Sequence, residues 1–157
     1  MPTTVKVSDE LARQLREIAP TMDGAIRNAI SSVQMFENIP FSKSVASLQE
    51  AYQVWRIPFD GYITQIVASF PDGCNSLVYS RLIYIAPDSG TYRYIIPSKE
   101  GEYLHLNDST PEFDLQKGVP VQKDGTLRVE WQNYDGSFSH TVAWSIQVIS
   151  SLGASPR

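Results

Sequence analysis

The chain of 157 residues is long enough for one hydrophobic core with a small appendage, and too short for two large cores. Its hydrophobic fraction of 42% and charged fraction of 19% predict a folded chain rather than a disordered one. The formal net charge of -4 argues against general binding to nucleic-acid phosphates or anionic lipid, and a single cysteine, Cys74, excludes an internal disulfide.

The N-terminus, Met1 to Val7, lacks the basic stretch, the apolar run and the small-residue cleavage site of a signal peptide. No segment approaches the roughly 18 apolar residues of a membrane span, so we expect no membrane insertion. The sequence therefore predicts synthesis in the cytoplasm, and a virion protein released by lysis is compatible with it.

Residues 1–50 are predicted to form a helical N-terminal segment of two to three short helices. Apolar residues recur there at helical spacing, and they are Leu11, Leu15, Ile18, Ile26, Ile30 and Val33. Pro20 ends the first helix, and the second ends before Pro40. A short third helix is predicted near residues 44–50, where Ser47 to Glu50 has the form of a capping box.

These helices carry narrow apolar stripes and would be marginal alone. We expect the six apolar residues to pack either on the rest of the chain or between subunits as an oligomer interface. The second arrangement predicts a homo-oligomer, a dimer or a trimer.

Residues 51–150 are predicted to form one antiparallel β-sandwich of about eight strands, jelly-roll-like, because turn signals recur at short and fairly regular intervals. They include Pro58–Gly61, Pro71–Gly73, Pro87–Gly90, Pro97–Gly101, Asn107–Pro111, Lys123–Gly125 and Asp135–Gly136. The small, polar residues 151–157 are predicted to form a mobile tail. The fold class is therefore mainly β with a small helical segment.

Clean alternation marks the last two predicted strands, around residues 127–132 and 141–148. We expect them to pair as a hairpin with Trp131 and Trp144 in the core. Strands around 62–70 and 76–86 carry apolar groups on both faces, which predicts cover from the opposing sheet on one side and from the helices or a neighbouring subunit on the other.

The sequence gives little support for a catalytic site or a metal site. The two imidazoles, His105 and His140, are interpreted as a rim residue and a turn residue, and one cysteine with two distant histidines does not make a zinc site. The oxygen-bearing residues from Asn107 to Asp114 could hold calcium, but turn chemistry explains them more simply. Glycine-rich nucleotide motifs are missing. The sequence predicts a non-enzymatic protein with no catalytic residue, no metal and no cofactor.

Aromatic residues are the one enrichment that indicates a function. β-Sandwiches that bind sugars use exposed aromatic rings as stacking platforms, so Tyr92, Tyr94 and Tyr103 are candidate ligand-binding residues. The simpler interpretation is that aromatic residues favour strands and fill cores and interfaces.

The stretch Thr3 to Ile18, followed by Ala25 to Ile30, resembles the ribbon-helix-helix repressors. In that family a short strand pairs across a dimer, and the resemblance implies that Thr4 and Lys6 would enter the DNA major groove. Residues 1–50 nevertheless carry five Lys/Arg against six Asp/Glu, a balance that argues against nucleic acid as a partner.

The β-domain resembles the jelly-roll modules of virion decoration, spike and other surface-assembly proteins, at stretches such as Ile57–Ile63 and Asn133–Val142. The resemblance implies a structural, assembly or attachment protein that binds copies of itself and a larger protein assembly. The alternatives are a carbohydrate-binding module, whose partner would be a glycan, and a DNA-binding regulator with a β effector domain.

Overall fold

A computed structural model describes residues 35–151 of the chain. The predicted oligomer interface from Leu11 to Val33, the DNA-binding candidates Thr4 and Lys6, and tail residues 152–157 lie outside the described residues. Those three expectations therefore stay predictions.

The described residues form ten β-strands and no helix, so none of them belongs to a helix that could cross a membrane. The strands are β1 (Phe36–Phe41), β2 (Ser44–Val45), β3 (Glu50–Arg56), β4 (Gly61–Ser69), β5 (Val78–Ile85), β6 (Tyr92–Ile96), β7 (Glu112–Val121), β8 (Thr126–Asn133), β9 (His140–Thr141) and β10 (Ala143–Ser150).

The strands pair antiparallel in three sheets. The first sheet has four strands in the order β1-β10-β4-β7, and the second has four in the order β3-β8-β5-β6. The short strands β2 and β9 pair with each other. The prediction of a mainly β, antiparallel fold is confirmed.

One hydrophobic core takes side chains from both four-stranded sheets. Ile146 and Val148 of β10 and Leu127 and Val129 of β8 are fully buried in the same cluster. Alternate residues of each strand point inward, because successive side chains of a strand lie on opposite faces. The hydrophobic effect at roughly 25 cal/mol per Å² of buried apolar surface makes this shared core the main source of stability.

Trp131 and Trp144 are both buried, as predicted, but the hairpin prediction is wrong. Strand β8 lies in the second sheet and β10 in the first, because the chain between them forms a turn and β9 and then enters the opposite sheet. The Trp131 Nε1–H donates to the carbonyl of Val142, just before β10, at 2.8 Å. In the reverse direction, the Trp144 Nε1–H donates to Ser80 Oγ of β5 at 2.8 Å.

The predicted third helix near residues 44–50 is also wrong. Residues 44–45 form β2, Leu48 adopts a left-handed φ of 57°, and β3 begins at Glu50. Val45 is buried in the core and its carbonyl accepts from Asn133 Nδ2 at 3.0 Å. These tertiary contacts outweigh the local preference of the capping-box sequence.

The first strand lies within the range that was predicted to be helical. Phe36–Phe41 forms β1, which pairs with β10 along its whole length and buries Ile39 and Phe41. The β-domain therefore begins at Phe36, before the predicted position 51. Pro40 is accommodated because β1 is an edge strand, and Pro120 lies in β7, the other edge of the same sheet.

Strand β5 is covered on both faces by the chain's own residues. Leu82 points into the core, whereas the next residue, Ile83, is fully buried outside the core cluster. In the sheet register Ile83 lies between Arg128 and Tyr94. Neighbouring residues of the same sheet therefore flank this outward-facing position.

Candidate functional site

The outward side chains of β8 carry charge. Leu127, Val129 and Trp131 point into the core, so Arg128 and Glu130 point away from it, and both are only partly exposed. Alternation of this kind fixes which side chains share a face. The centre of the second sheet's outer face is therefore an ionic pair.

Register brings matching groups from the neighbouring strands. Glu130 lies opposite Tyr52 of β3 on one side and opposite Arg81 of β5 on the other. Directly opposed residues on one face of an antiparallel sheet have their Cβ atoms about 4.5–5.5 Å apart, close enough for side chains to contact. Three strands thus place a tyrosine, a carboxylate and a guanidinium in one row.

The Glu130 carboxylate lies between two guanidinium groups. Arg81 Nε donates to Glu130 Oε2 at 2.6 Å, and Arg128 Nε lies 2.9 Å from Glu130 Oε1. The second contact is an ion pair without hydrogen-bond geometry, because Arg128 Nε is buried and makes no hydrogen bond among the described residues. The side chains of Arg81, Arg128 and Glu130 are 16%, 26% and 15% exposed, so water screens these charges only in part.

Aromatic rings cover the flat sides of both guanidinium groups. The Arg81 guanidinium carbon lies 4.4 Å from the ring centre of Tyr103 and 5.2 Å from that of Tyr94. The corresponding carbon of Arg128 lies 4.1 Å from the ring centre of Tyr52. These distances are within the range of cation–π attraction, which also orients the planar groups.

A second aromatic group adjoins the first. Tyr79 stacks on His105 with ring centres 4.5 Å apart and contacts Tyr134 edge to face at 4.9 Å. Gln132 connects the two groups, since its Oε1 accepts from the Tyr134 hydroxyl at 2.8 Å and its Nε2 donates to the Tyr103 hydroxyl at 3.4 Å. Burial raises the pKa of Tyr103 above its ordinary value, against the opposing effect of Arg81, so its hydroxyl stays protonated at neutral pH.

We call this surface the aromatic face. It is defined by Tyr52, Tyr79, Arg81, Tyr94, Tyr103, His105, Arg128, Glu130, Gln132 and Tyr134. An open depression of about 450 Å³ lies on this face and is lined by Glu50, Tyr52, Arg81, Arg128, Glu130 and Gln132 among others. Small-molecule sites in proteins commonly have volumes of about 300–1,000 Å³.

The three tyrosines predicted from sequence are placed differently from one another. Tyr94 and Tyr103 both lie against the Arg81 guanidinium group within the aromatic face. Tyr92 is 48% exposed near the end of the same sheet, opposite Ile85. The structure thus brings two of the three together.

Sequence reasoning missed Tyr52, Arg81, Arg128 and Glu130 as site residues. A signal for two of them was present, because the alternation in β8 already set Arg128 and Glu130 on the face opposite Trp131. Tyr52 and Arg81 join them only through the register of β3 and β5, which cannot be deduced from the sequence.

The histidine His140 belongs to a separate polar cluster at the turn after β8. Its Nε2 lies 2.8 Å from Oδ2 of the buried Asp135, and Asp135 Oδ1 accepts from the backbone N–H groups of Ser137 and Phe138. These bonds hold the pKa of Asp135 below its ordinary value, the His140 contact having the largest effect. Both carboxylate oxygens of Asp135 bind groups close to the turn, which indicates that this cluster stabilises the turn.

Other candidates have structural surroundings as well. Asn107 Oδ1 accepts from the N–H groups of Gly73 and Asn75 at 3.0 and 2.8 Å, which ties two loops together. Among the described residues, no group of three or more His, Cys, Asp or Glu side chains is arranged to hold a metal ion. Cys74 is buried, and burial raises the pKa of its thiol.

The fold and this face define a class, an antiparallel β domain with two four-stranded sheets and an aromatic, guanidinium-bearing surface on one of them. No family model matches the sequence, and no curated protein matches it.

Several solved structures show a distant likeness. A chain from the complex of Aeromonas sobria serine protease (ASP) with the chaperone ORF2 is 14% identical, with a TM-score of 0.38 over 81% of this chain and 29% of that one. FLHE is 13% identical, with a TM-score of 0.37 over 73% of this chain and 96% of that one. A chain from infectious bursal disease virus, Gx strain, is 12% identical, with a TM-score of 0.36 over 80% and 35%. Likenesses this distant assign neither a family nor a function.

Proposed function

We propose that this protein is a non-enzymatic attachment protein whose β-domain binds a carbohydrate on the aromatic face. The observation that carries the proposal is the concentration of stacked tyrosine and arginine side chains on one face, where Tyr52, Arg81 and Arg128 line an open depression. Flat rings and fixed hydrogen-bonding groups on a rigid sheet are what a protein needs to hold a sugar, which presents both C–H faces and hydroxyls.

The finer fold assignment in this proposal is a jelly roll. Without the short strands β2 and β9, the eight remaining strands in chain order form one sheet of the first, eighth, third and sixth and another of the second, seventh, fourth and fifth. A jelly roll is a double sheet of eight strands built from two Greek keys, and this order supports it. Such a scaffold needs no catalytic group to serve as a support for a binding face.

A glycan array probed with the intact chain tests the proposed function. We expect binding to a restricted set of saccharides and its loss in Tyr52→Ala, because Tyr52 is 55% exposed beside the depression. Tyr62→Ala is the matched control, since Tyr62 is 42% exposed but lies on β4 of the first sheet. An array with no binding, or equal loss in both variants, contradicts the proposal.

Assembly is the second part of the proposal. The apolar stripes of residues 11–33 support a homo-oligomer, dimer or trimer, and through it attachment to a larger protein assembly. Light scattering should give a multiple of the chain mass for the intact protein and a monomer for a chain that starts at Met35, just before β1. Identical monomers from both proteins would remove the oligomer and leave the carbohydrate site untouched.

A further inference from the structure

We infer that the saccharide bound on the aromatic face carries a carboxylate, and that Arg81 and Arg128 bind this carboxylate. The inference rests on the proposed function and narrows it to acidic sugars.

Among the partly buried side chains that line the depression, positive charge exceeds negative charge. Arg81 and Arg128 contribute two positive charges, and Glu130 between them contributes one negative charge. Glu50 also lines the depression, but it is exposed at the rim, where water and salt screen its charge. An anion placed against the two guanidinium groups would therefore complete the neutralisation of a partly buried pair.

The guanidinium groups present their terminal nitrogens to such an anion. Within residues 35–151, the hydrogen bond and ion pairs of Arg81 and Arg128 use only Nε, and both run to Glu130. The rings of Tyr103 and Tyr52 lie against the two groups, and the donors that remain on each group are its terminal nitrogens. A carboxylate suits such a group, because its two oxygens accept two parallel N–H donors of one guanidinium.

The shape of the surface favours a sugar over an acidic peptide. A peptide could add as a strand at the edge of the second sheet, next to Tyr52 of β3. The chain next to Ser42 already lies against β3, since the Gln53 side-chain amide accepts from Ser42 N at 2.9 Å and donates to Ser42 O at 3.0 Å. The open depression of about 450 Å³ instead suits one or two sugar rings lying against Tyr52.

Calorimetry with the intact protein tests the inference from the ligand side, where protein folding is not in question. The probes are sialyllactose against its methyl ester, and a galacturonic acid trisaccharide against its methyl ester. We expect the acidic member of at least one pair to bind about tenfold more tightly than its neutral partner, because hydrogen bonds to a charged group are lost in the neutral one. The two pairs distinguish a sialic acid from a uronic acid.

Variants test the same inference from the protein side. Arg128→Lys keeps the charge but removes the two-donor edge, so it should weaken the acidic probe about tenfold and leave the neutral probe unchanged. Arg56→Gln is the matched control, because Arg56 belongs to the same sheet but is exposed and pairs with Asp124 at 3.1 Å. Circular dichroism confirms that both variants are folded.

Equal affinity for each acidic and neutral pair would overturn the inference while the proposed carbohydrate function stands. Binding to an acidic peptide, with no saccharide bound, would overturn both. Loss of the acidic probe in Arg56→Gln and Arg128→Lys alike would overturn the assigned position of the carboxylate, since binding would then depend equally on an arginine outside the depression.

Discussion

The two four-stranded sheets are alike in the apolar character of their inner faces and differ in the chemistry of their outer faces. Both inner faces are apolar and meet in one core. The outer face of the second sheet carries stacked tyrosine and arginine side chains, whereas that of the first carries amide and hydroxyl groups, such as the contacts of Thr64 with Gln147 and of Gln65 with Glu112. Among the described residues, no ring stack or cation–π pair lies on the outer face of the first sheet.

This difference separates what the fold requires from what it does not. A β-sandwich needs its inner residues for stability, and polar groups of many kinds would serve on the outside. Guanidinium groups held by a carboxylate and by rings are more specific than solubility requires. The difference between the outer faces therefore supports the proposed site on the second sheet.

The largest expected effect tests the shared core. Trp131→Ala and Trp144→Ala should each lower the free energy of unfolding by about 3–5 kcal/mol, because each removes a fully buried indole. Urea denaturation measures both. Gln132→Ala, on the outward face of β8, should cost much less; a cost equal to that of Trp131→Ala would contradict the assignment of inner and outer faces.

A smaller effect tests the hydrogen bonding between the sheets. Ser80→Ala removes the acceptor of the Trp144 Nε1–H and leaves that buried donor without a partner, which should cost about 1–3 kcal/mol. The exposed Ser145 of β10 provides the control, since Ser145→Ala should change stability by about 0.5 kcal/mol or less. Equal stability of the two variants in urea would show that the bond contributes nothing.

The pH dependence of stability tests the turn between the two sheets. The pKa of Asp135 is lower in the folded than in the unfolded chain, chiefly because of His140. Its stabilising effect is therefore complete above the unfolded-state pKa and is lost as the pH falls through that value to the folded-state pKa. Unfolding free energies from about pH 7 to about pH 3 should fall less steeply for Asp135→Asn than for the wild type; parallel curves would contradict this.

The smallest effect concerns the aromatic face itself. A double-mutant cycle between Tyr52→Ala and Arg128→Ala should give a coupling of about 0.5–1 kcal/mol, because the pair is only partly shielded from water. Strong loss of carbohydrate binding in variants that remain folded would sharpen the contrast between the faces. A coupling of zero would mean that the stacked geometry does not persist in solution.

Much of the fold could be predicted from sequence because it depends on local signals. Alternation in β8 separated Trp131 from Arg128 and Glu130, since a strand has a period of two. The hairpin prediction failed because pairing of successive strands is the usual outcome, and the sequence does not show that the chain changes sheets after Asn133.

The site was less predictable because it depends on contacts between distant segments. Tyr94 and Tyr103 could be named as candidates because they are aromatic, but their common partner Arg81 comes from another strand. The helix predicted near residues 44–50 failed for the same reason, since Val45 is held by the core and by Asn133. A local motif cannot report such long-range contacts.

The two indole hydrogen bonds have a mechanical consequence. One runs from the second sheet to the backbone beside the first, and the other runs from the first sheet to the second. Two bonds at different points restrain both the rotation and the sliding of one sheet against the other. A single bond would restrain only the sliding. A load on the second sheet would then reach β10 through these two bonds as well as through the shared core.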